Sequence, residues 1–273
     1  MNPIISVVEL AALVDTSPDL ILLDARPGRG LYAASHLRGA RHADLDTELS
    51  AARDDNADPV RGGRHPLPEF DIWLQRLGKW GISPSTTVVV YDDANGGNAA
   101  ARAWWMLRAV GHRDVAVLDG DWRQLEVTDE EPQFLALPRY PATSWQSPVA
   151  DMERVDALRG DPQWRVLDVR ARERYRGETE PIDPVAGRIP GAINLPFAEN
   201  LEDGRFKSAE ALREQYEALF EGTPPERVVV HCGSGVTACH TLLALEQAGL
   251  SGALLYVGSW SEWCRNDKPQ DRD

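Results

Sequence analysis

Short runs of apolar, β-branched residues recur along the chain, and the clearest are Val88-Val89-Val90 and Val228-Val229-Val230. Continuous apolar runs of this length are typical of strands that are buried on both faces of a sheet. Each run is followed by a glycine-containing turn and then by a helical pattern, which predicts helices over 99–110 and 237–248. Strands that alternate with helices predict an α/β fold with mainly parallel sheets.

The same landmarks occur twice and in the same order, at offsets of about 140 to 150 residues. The matched segments are 20–26 with 164–170 (each ending in Asp-x-Arg), 36–40 with 188–192, 87–92 with 227–232, and 118–122 with 256–260. The chain is therefore predicted to be a tandem duplication. We expect an N-terminal domain over 1–134, a proline-containing linker over 135–150 and a C-terminal domain over 151–273.

The composition is that of a soluble folded protein, with 42% apolar and 26% charged residues. No apolar run approaches the roughly 18 residues of a membrane helix, and the N-terminus lacks the pattern of a secretory signal, so we expect no membrane partner. The formal net charge of −14 argues against nucleic acid as a partner, because phosphate binding needs a basic surface. The three cysteines, Cys232, Cys239 and Cys264, favour a reducing cytoplasm over a disulfide framework.

Cys232 lies where a predicted buried strand ends and just before a predicted helix, in the sequence Cys-Gly-Ser-Gly-Val-Thr-Ala. Ligands of open α/β sheets bind at this position, outside the carboxyl ends of the strands. Gly233 and Gly235 let the loop curl tightly, so that backbone N–H groups form an anion-binding nest beside the positive end of a helix dipole. Such a loop favours a thiolate over a thiol, and the hydroxyls of Ser234 and Thr237 add donors.

The cysteine loop, the duplication and the sequence Tyr-Val-Gly-Ser-Trp-Ser-Glu-Trp at 256–263 resemble the rhodanese and 3-mercaptopyruvate sulfurtransferase family. The resemblance implies two tandem rhodanese-like domains, each a mainly parallel sheet flanked by helices. It implies a catalytic C-terminal domain and an inactive N-terminal domain, in which Asp92 stands in place of the cysteine. A persulfide on Cys232 would then pass its sulfur to cyanide or to a thiol, such as thioredoxin or a small thiol. No metal or organic cofactor is expected.

The resemblance also implies how the small anionic sulfur donor is bound. Arg174 occupies the arginine position of the family's Arg-aromatic-x-Gly motif, and a guanidinium group holds a carboxylate with two parallel hydrogen bonds. The other expected substrate-binding residues belong to the cysteine loop: Gly233, Gly235, Val236 and Thr237.

The identity of the donor depends on two opposing features. Mercaptopyruvate enzymes of this family carry a second arginine in a Glu-Pro-Arg sequence, whereas this chain has Ile182 and Asp183 at that place, with Arg188 as a candidate substitute. Thiosulfate enzymes often have basic residues inside the cysteine loop, and this loop has none. The loop favours 3-mercaptopyruvate as the donor, and thiosulfate stays as the alternative.

Three further residues are similar to a proton-handling set of the mercaptopyruvate enzymes. These are Asp46, His65 and Ser234, and histidine suits proton transfer near neutral pH. Asp46 and His65 lie in the first repeat and Ser234 in the second. We therefore expect a catalytic site between the two domains, with Cys232 and these three residues as its catalytic groups.

Two other functions are compatible with parts of the pattern. A cysteine phosphatase would need Cys-x5-Arg, but the sixth residue after Cys232 is Ala238. A non-catalytic binding or regulatory module would match the first repeat, where Asp92 replaces the cysteine, but not the second. Cys239 and Cys264 are expected to serve packing.

Overall fold

A computed structural model describes residues 1–97 and 99–273. Its internal contacts divide the chain into two units, the first formed by 1–53 and 67–146 and the second by 54–66 and 147–273. The segment 54–66 thus belongs to the second unit, although it lies inside the first sequence repeat. This assignment differs from the predicted domain limits, because a local pattern carries no information about which distant surface a loop contacts.

The first unit is built on a five-stranded sheet with the order β1-β6-β5-β2-β4, in which neighbouring strands are parallel. Its strands are β1 (Ile4–Ser6), β2 (Leu20–Asp24), β3 (His36–Leu37), β4 (Arg41–His42), β5 (Thr87–Tyr91), β6 (Val115–Asp119) and β7 (Val127–Thr128), of which β3 and β7 form a separate antiparallel pair. Its helices are α1 (Val7–Thr16), α2 (Arg29–Ala34), α3 (Phe70–Lys79) and α4 (Ala100–Ala109), with a 3-10 turn at Trp122–Gln124.

The second unit repeats this plan with the sheet order β10-β9-β13-β14-β8, again parallel throughout. Its strands are β8 (Val149–Ala150), β9 (Arg165–Asp168), β10 (Ile193–Asn194), β13 (Val228–His231) and β14 (Leu254–Tyr256), with a separate hairpin of β11 (Leu201–Glu202) and β12 (Arg205–Phe206). Its helices are α5 (Met152–Leu158), α6 (Arg172–Arg176), α7 (Ala209–Phe220), α8 (Thr237–Gln247) and α9 (Ser259–Trp263), with 3-10 turns at Phe197–Asn200 and Pro225–Arg227.

The two sheets match strand for strand, even in register. Asp24 of β2 pairs with Tyr91 of β5, and Asp168 of β9 pairs with His231 of β13. The predicted duplication and the tandem α/β fold are therefore confirmed. The valine runs of β5 and β13 are completely buried, as a strand covered on both faces requires. Among the described residues, no helix combines the length and apolar character needed to cross a membrane.

A buried ion pair anchors each sheet at its carboxyl edge. Arg170 donates from Nε to Asp168 Oδ1 at 3.1 Å and from Nη2 to Asp168 Oδ2 at 2.6 Å. Arg26 makes the same fork to Asp24 in the first unit. Two parallel hydrogen bonds between opposite charges compensate for much of the cost of burying them. The recurring Asp-x-Arg sequence thus fixes the backbone where each strand ends, directly beside the loop that follows the neighbouring strand.

Candidate active site

Cys232 follows β13 directly, and the loop turns its backbone toward the sulfur. The N–H of Gly235 donates to Cys232 Sγ at 3.1 Å. Gly235 has a φ of 75°, a left-handed conformation that glycine adopts without steric strain. A Cβ atom on Gly235 would lie 2.4 Å from the carbonyl oxygen of Val257, so a side chain there would collide with backbone. The predicted tight turn around the sulfur is therefore present, and a glycine is required to make it.

Helix α9 holds the cysteine loop from its other side. The N–H of Trp260 donates to the carbonyl of Cys232 at 3.0 Å, and the N–H of Ser261 donates to that of Gly233 at 2.9 Å. The N–H of Cys232 itself donates to Ser259 Oγ at 3.1 Å. Three groups of the Ser-Trp-Ser sequence at 259–261 thus bond directly to the backbone of Cys232 and Gly233. The sulfur is thus held in a preformed site.

Charged groups are buried behind the cysteine loop. Burial acts to lower the pKa of Arg170, but the charges of Asp168, Glu180 and Cys232 outweigh it and raise that pKa above its usual value. Burial lowers the pKa of His231 from its ordinary 6.5, so His231 is neutral at neutral pH. Arg170 is therefore a buried cation behind the cysteine loop, where it is paired with Asp168 and Glu180.

The corresponding loop of the first unit binds its own carboxylate. Asp92 Oδ1 accepts hydrogen bonds from the N–H groups of Ala94 and Gly96, and Oδ2 accepts from those of Ala99 and Ala100, at 2.8–3.1 Å. A loop at this position of the fold thus gathers several amides around one anion, as expected for a nest. The group at the centre of the loop is the carboxylate of Asp92 in the first unit, whereas in the second unit it is the sulfur of Cys232, which can react as a nucleophile.

The structure brings two of the predicted proton-handling residues together. His65 Nδ1 lies 2.8 Å from Ser234 Oγ, two residues after the cysteine. This contact lies within the second unit, because the segment 54–66 belongs to it. Asp46 lies in the first unit, where its carboxylate accepts a hydrogen bond from Arg53 Nη2 at 2.9 Å. A role for Asp46 in catalysis stays a prediction.

Arg174 lies beside the cysteine loop, as the sequence indicates. Its guanidinium donates from Nη2 to Glu180 Oε1 at 2.6 Å and from Nε to Glu180 Oε2 at 3.2 Å. An ideal Cβ atom on Gly233 would lie 3.4 Å from both Nη1 and Nη2 of Arg174. The guanidinium therefore covers the peptide next to Cys232, where it can meet an anion that approaches the sulfur. Arg188 instead pairs with Asp271 and Asp273 in the C-terminal segment.

Arg64 lies at the same point, and the sequence analysis did not single it out. Its Nη2 would also be 3.4 Å from a Cβ atom on Gly233, and its Nη1 donates to Asp183 Oδ1. The sequence could have indicated Arg64 through its position directly before His65, because a residue next to a predicted site residue also lies near the site. Arg64 therefore places a second guanidinium group beside the cysteine loop, with Asp183 as its ion-pair partner.

The remaining cysteines occupy different surroundings. Cys239 is buried in α8 and donates from Sγ to the carbonyl of Gly235 at 3.3 Å. Burial raises the pKa of Cys264 to about 11, so this thiol is protonated at neutral pH. Within the described part of the chain, no group of three or more histidine, cysteine, aspartate or glutamate side chains is arranged to hold a metal ion.

Comparison with known proteins agrees with this geometry. The sequence model of the rhodanese-like domain family matches this chain twice, over residues 6–127 and 151–266. A probable 3-mercaptopyruvate sulfurtransferase of Pseudomonas aeruginosa is 44% identical over 93% of this chain and 92% of the relative. A putative thiosulfate sulfurtransferase, SseB of Mycobacterium tuberculosis, is 36% identical over 95% of this chain and 93% of the relative.

A solved structure shows the same fold at a lower level of sequence identity. The 3-mercaptopyruvate sulfurtransferase from Leishmania major superposes with a TM-score of 0.79 and 27% identity, covering 95% of this chain and 73% of the other. The two repeats, the cysteine loop and these relatives lead to one conclusion: the chain belongs to the rhodanese family of sulfurtransferases and carries two rhodanese-like domains.

Proposed function

We propose that this protein transfers sulfur from 3-mercaptopyruvate to a thiol or to cyanide through a persulfide on Cys232. The observation that carries the proposal is the cysteine loop, in which the Gly235 N–H donates to Cys232 Sγ while Arg174 covers the adjacent Gly233. The loop supplies a stabilised sulfur nucleophile, and the arginine supplies a site for the carboxylate of the donor. The acceptor is a small thiol or a protein thiol such as thioredoxin, in the reducing cytoplasm.

The reaction proceeds in two steps that regenerate the cysteine. The Cys232 thiolate attacks the sulfur of the donor, the carbon–sulfur bond breaks, and its electron pair remains on the carbon skeleton as the enolate of pyruvate. Protonation of that enolate gives pyruvate, and Cys232 carries the transferred sulfur as a persulfide. The acceptor then attacks the outer sulfur and the Cys232 thiolate leaves. Because each half-reaction has its own substrate, ping-pong kinetics follow.

A comparison of donors tests the proposal directly. We expect a higher kcat/KM with 3-mercaptopyruvate than with thiosulfate when cyanide is the acceptor and thiocyanate is measured. Thiosulfate is the second candidate donor, because Ile182 and Asp183 stand where mercaptopyruvate enzymes have an arginine. A higher kcat/KM with thiosulfate would identify thiosulfate as the preferred donor. If neither donor yields thiocyanate, the protein does not transfer sulfur from either of them to cyanide, and the proposal fails.

His65 is proposed to move the proton that only a thiol donor brings. Its Nδ1 lies 2.8 Å from Ser234 Oγ, so the pair can pass a proton between the donor thiol and solvent. His65→Gln keeps a hydrogen-bonding side chain and should lower kcat with 3-mercaptopyruvate by about 10²-fold, within the usual range for proton transfer. With thiosulfate, which has no thiol proton, kcat should change by less than about threefold. Equal losses with both donors would assign His65 to packing instead.

A further inference from the structure

The loop over residues 177–187 leaves the end of α6 and returns to its own starting point. An ideal Cβ atom on Gly177 would lie 3.3 Å from both the N and the Cα of Gly187, so the two ends of the loop are in contact. Gly177 has a φ of 80° and Gly187 a φ of 133°, which glycine adopts without steric strain. A compact surface loop whose ends meet in this way is an Ω loop, and residues 177–187 are called the Ω loop below.

Residues 271–273 close the base of the Ω loop. The N–H of Arg188 donates to the carbonyl of Asp271 at 2.8 Å, and the N–H of Asp271 donates to the carbonyl of Arg188 at 3.1 Å, which makes an antiparallel bridge. A Cβ atom on Gly187 would lie 2.5 Å from the carbonyl oxygen of Asp271, and one on Gly177 would lie 2.8 Å from Cβ of Arg272. The same short segment therefore packs against both ends of the Ω loop.

The side chain of Arg188 strengthens this closure. Its Nη2 donates to Asp271 Oδ2 at 2.9 Å, and its Nη1 donates to Asp273 Oδ1 at 2.8 Å. Its guanidinium also lies 4.8 Å from the ring centroid of Tyr175, in α6. Only 13% of the Arg188 side chain is exposed, so its ion pairs are less screened than pairs on an open surface. We call Arg188 together with residues 271–273 the clasp.

The interior of the Ω loop holds charged groups that lie at the cysteine loop. Glu180 is almost completely buried and accepts hydrogen bonds from Arg174 Nη2 at 2.6 Å and Nε at 3.2 Å. The same carboxylate accepts from two N–H groups of the Ω loop itself, each at 3.1 Å. At the base, the carbonyl of Gly187 accepts from Arg170 Nη2 at 2.7 Å. Because Glu180 binds both its own loop and a guanidinium, the conformation of the loop determines where that guanidinium lies.

We propose that the clasp positions the donor site: Arg188, through residues 271–273, keeps the Ω loop closed, so that Glu180 holds Arg174 in place. The proposal rests on the proposed function, in which Arg174 meets the carboxylate of the sulfur donor. Arg188 then acts as a positioning residue and does not contact the donor, because its guanidinium is bound by two carboxylates at the base of the loop.

Removal of residues 271–273 tests the clasp by kinetics. The shortened protein keeps Pro269, whose carbonyl accepts a hydrogen bond from Trp263 Nε1. We expect KM for 3-mercaptopyruvate to rise by about three- to tenfold, because only molecules with a closed loop bind the donor well. The kcat at saturating donor should stay within about twofold. The kcat/KM for cyanide, which reacts with the persulfide in the second half-reaction, should also stay within about twofold.

Limited proteolysis measures the closure of the loop without any catalysis. Glu178 is half exposed in the Ω loop, and a glutamyl endopeptidase cleaves after this residue only when the surrounding backbone opens. Removal of residues 271–273 should raise the rate of cleavage in the Ω loop by about tenfold, because a larger fraction of the molecules is open. Asp267→Asn is the matched control: it removes a charge from an exposed position near the clasp, and both KM and the cleavage rate should be unchanged.

A double variant separates positioning from direct contact with the donor. Arg188→Met removes the ion pairs of the clasp and should raise KM for 3-mercaptopyruvate by about threefold or more, whereas Arg188→Lys keeps the charge and should stay within about twofold. In the protein that lacks residues 271–273, Arg188→Met should add little, because its partners are already gone. Independent effects of the two changes would mean that Arg188 binds the donor itself, and the clasp would be refuted.

The outcomes keep this proposal distinct from the proposed function. If the unmodified protein forms no persulfide with 3-mercaptopyruvate, the proposed function fails, and the role of the clasp in donor binding fails with it. If the persulfide forms but removal of residues 271–273 leaves KM unchanged, only the clasp fails, whether or not cleavage is faster. An equal loss in kcat/KM for cyanide would indicate general damage and would also overturn it. Should the shortened protein not fold, the same measurements on Arg188→Met decide the matter.

Discussion

Cys232→Ser is expected to abolish sulfur transfer, with a loss of at least about 10⁴-fold in kcat/KM. Serine keeps the shape of the side chain and the Gly235 N–H beside it. Its hydroxyl is not ionised near neutral pH and cannot form a persulfide, so the covalent intermediate is lost while the loop stays intact. The measurement is the mass of the intact protein after incubation with donor. The unmodified protein should gain about 32 Da, the mass of one sulfur atom, and Cys232→Ser should gain nothing.

Cys264→Ser is the matched control. Because burial raises the pKa of the Cys264 thiol to about 11, this residue is not a nucleophile at neutral pH, and the variant should still gain one sulfur. Cyanide should then remove that sulfur as thiocyanate. A sulfur adduct on Cys232→Ser, or its loss in Cys264→Ser, would move the carrier to a different cysteine and refute the mechanism.

The sequence predicted those parts of the molecule that depend on local pattern. The valine runs before Asp92 and Cys232 predicted two buried parallel strands, and the order of landmarks predicted the duplication that the two sheets confirm in topology. The cysteine loop was predictable because its glycines encode a tight turn at the end of a strand. The strands and the cysteine loop are each encoded in one short segment, whereas the duplication follows from the order of several such segments along the chain.

The contacts of residues 62–65 could not be predicted in the same way. Arg64 and Ser261 are hydrogen-bonded although 197 residues separate them, and nothing in the local sequence of Arg64 identifies its partner. The loss of an arginine at Ile182 suggested an incomplete donor site. The structure shows that the next residue, Asp183, is buried among Arg64, Arg174 and Arg265, which come from three segments of the chain.

The Asp92 loop indicates why the first unit has kept its shape without a cysteine. Among the described residues, four amides donate to the Asp92 carboxylate, so the loop is stabilised by an anion that is part of the chain. The residue at this position in the second unit is Cys232 instead of a carboxylate, and within the described residues Gly235 donates its N–H to the sulfur. A loop whose cysteine gains and loses a sulfur atom needs its amides free of a permanent anionic side chain. The position of the Gly235 N–H beside the sulfur therefore depends on the backbone conformation of Gly235.

Gly235→Ala is accordingly the second change with a large expected effect. Its φ of 75° is unfavourable for alanine by about 1–2 kcal/mol. The new Cβ atom would also lie 2.4 Å from the carbonyl oxygen of Val257, and such an overlap costs about 1–3 kcal/mol more as the backbone moves. Any such movement shifts the N–H that donates to Cys232 Sγ. We expect kcat to fall by about 10²- to 10³-fold, as when one donor to a reacting anion is lost.

Gly222→Ala separates the two causes. Gly222 has a similar φ of 84°, but no atom lies within 4 Å of its ideal Cβ position, so the variant carries the conformational strain without the collision. Chemical denaturation should show a loss of about 1–2 kcal/mol in the free energy of unfolding for Gly222→Ala and a larger loss for Gly235→Ala. Sulfur transfer by Gly222→Ala should be normal. If Gly235→Ala instead retained full activity, the Gly235 N–H would not be needed to stabilise the sulfur, and the anion-binding role of the loop would have to be assigned to its other amides.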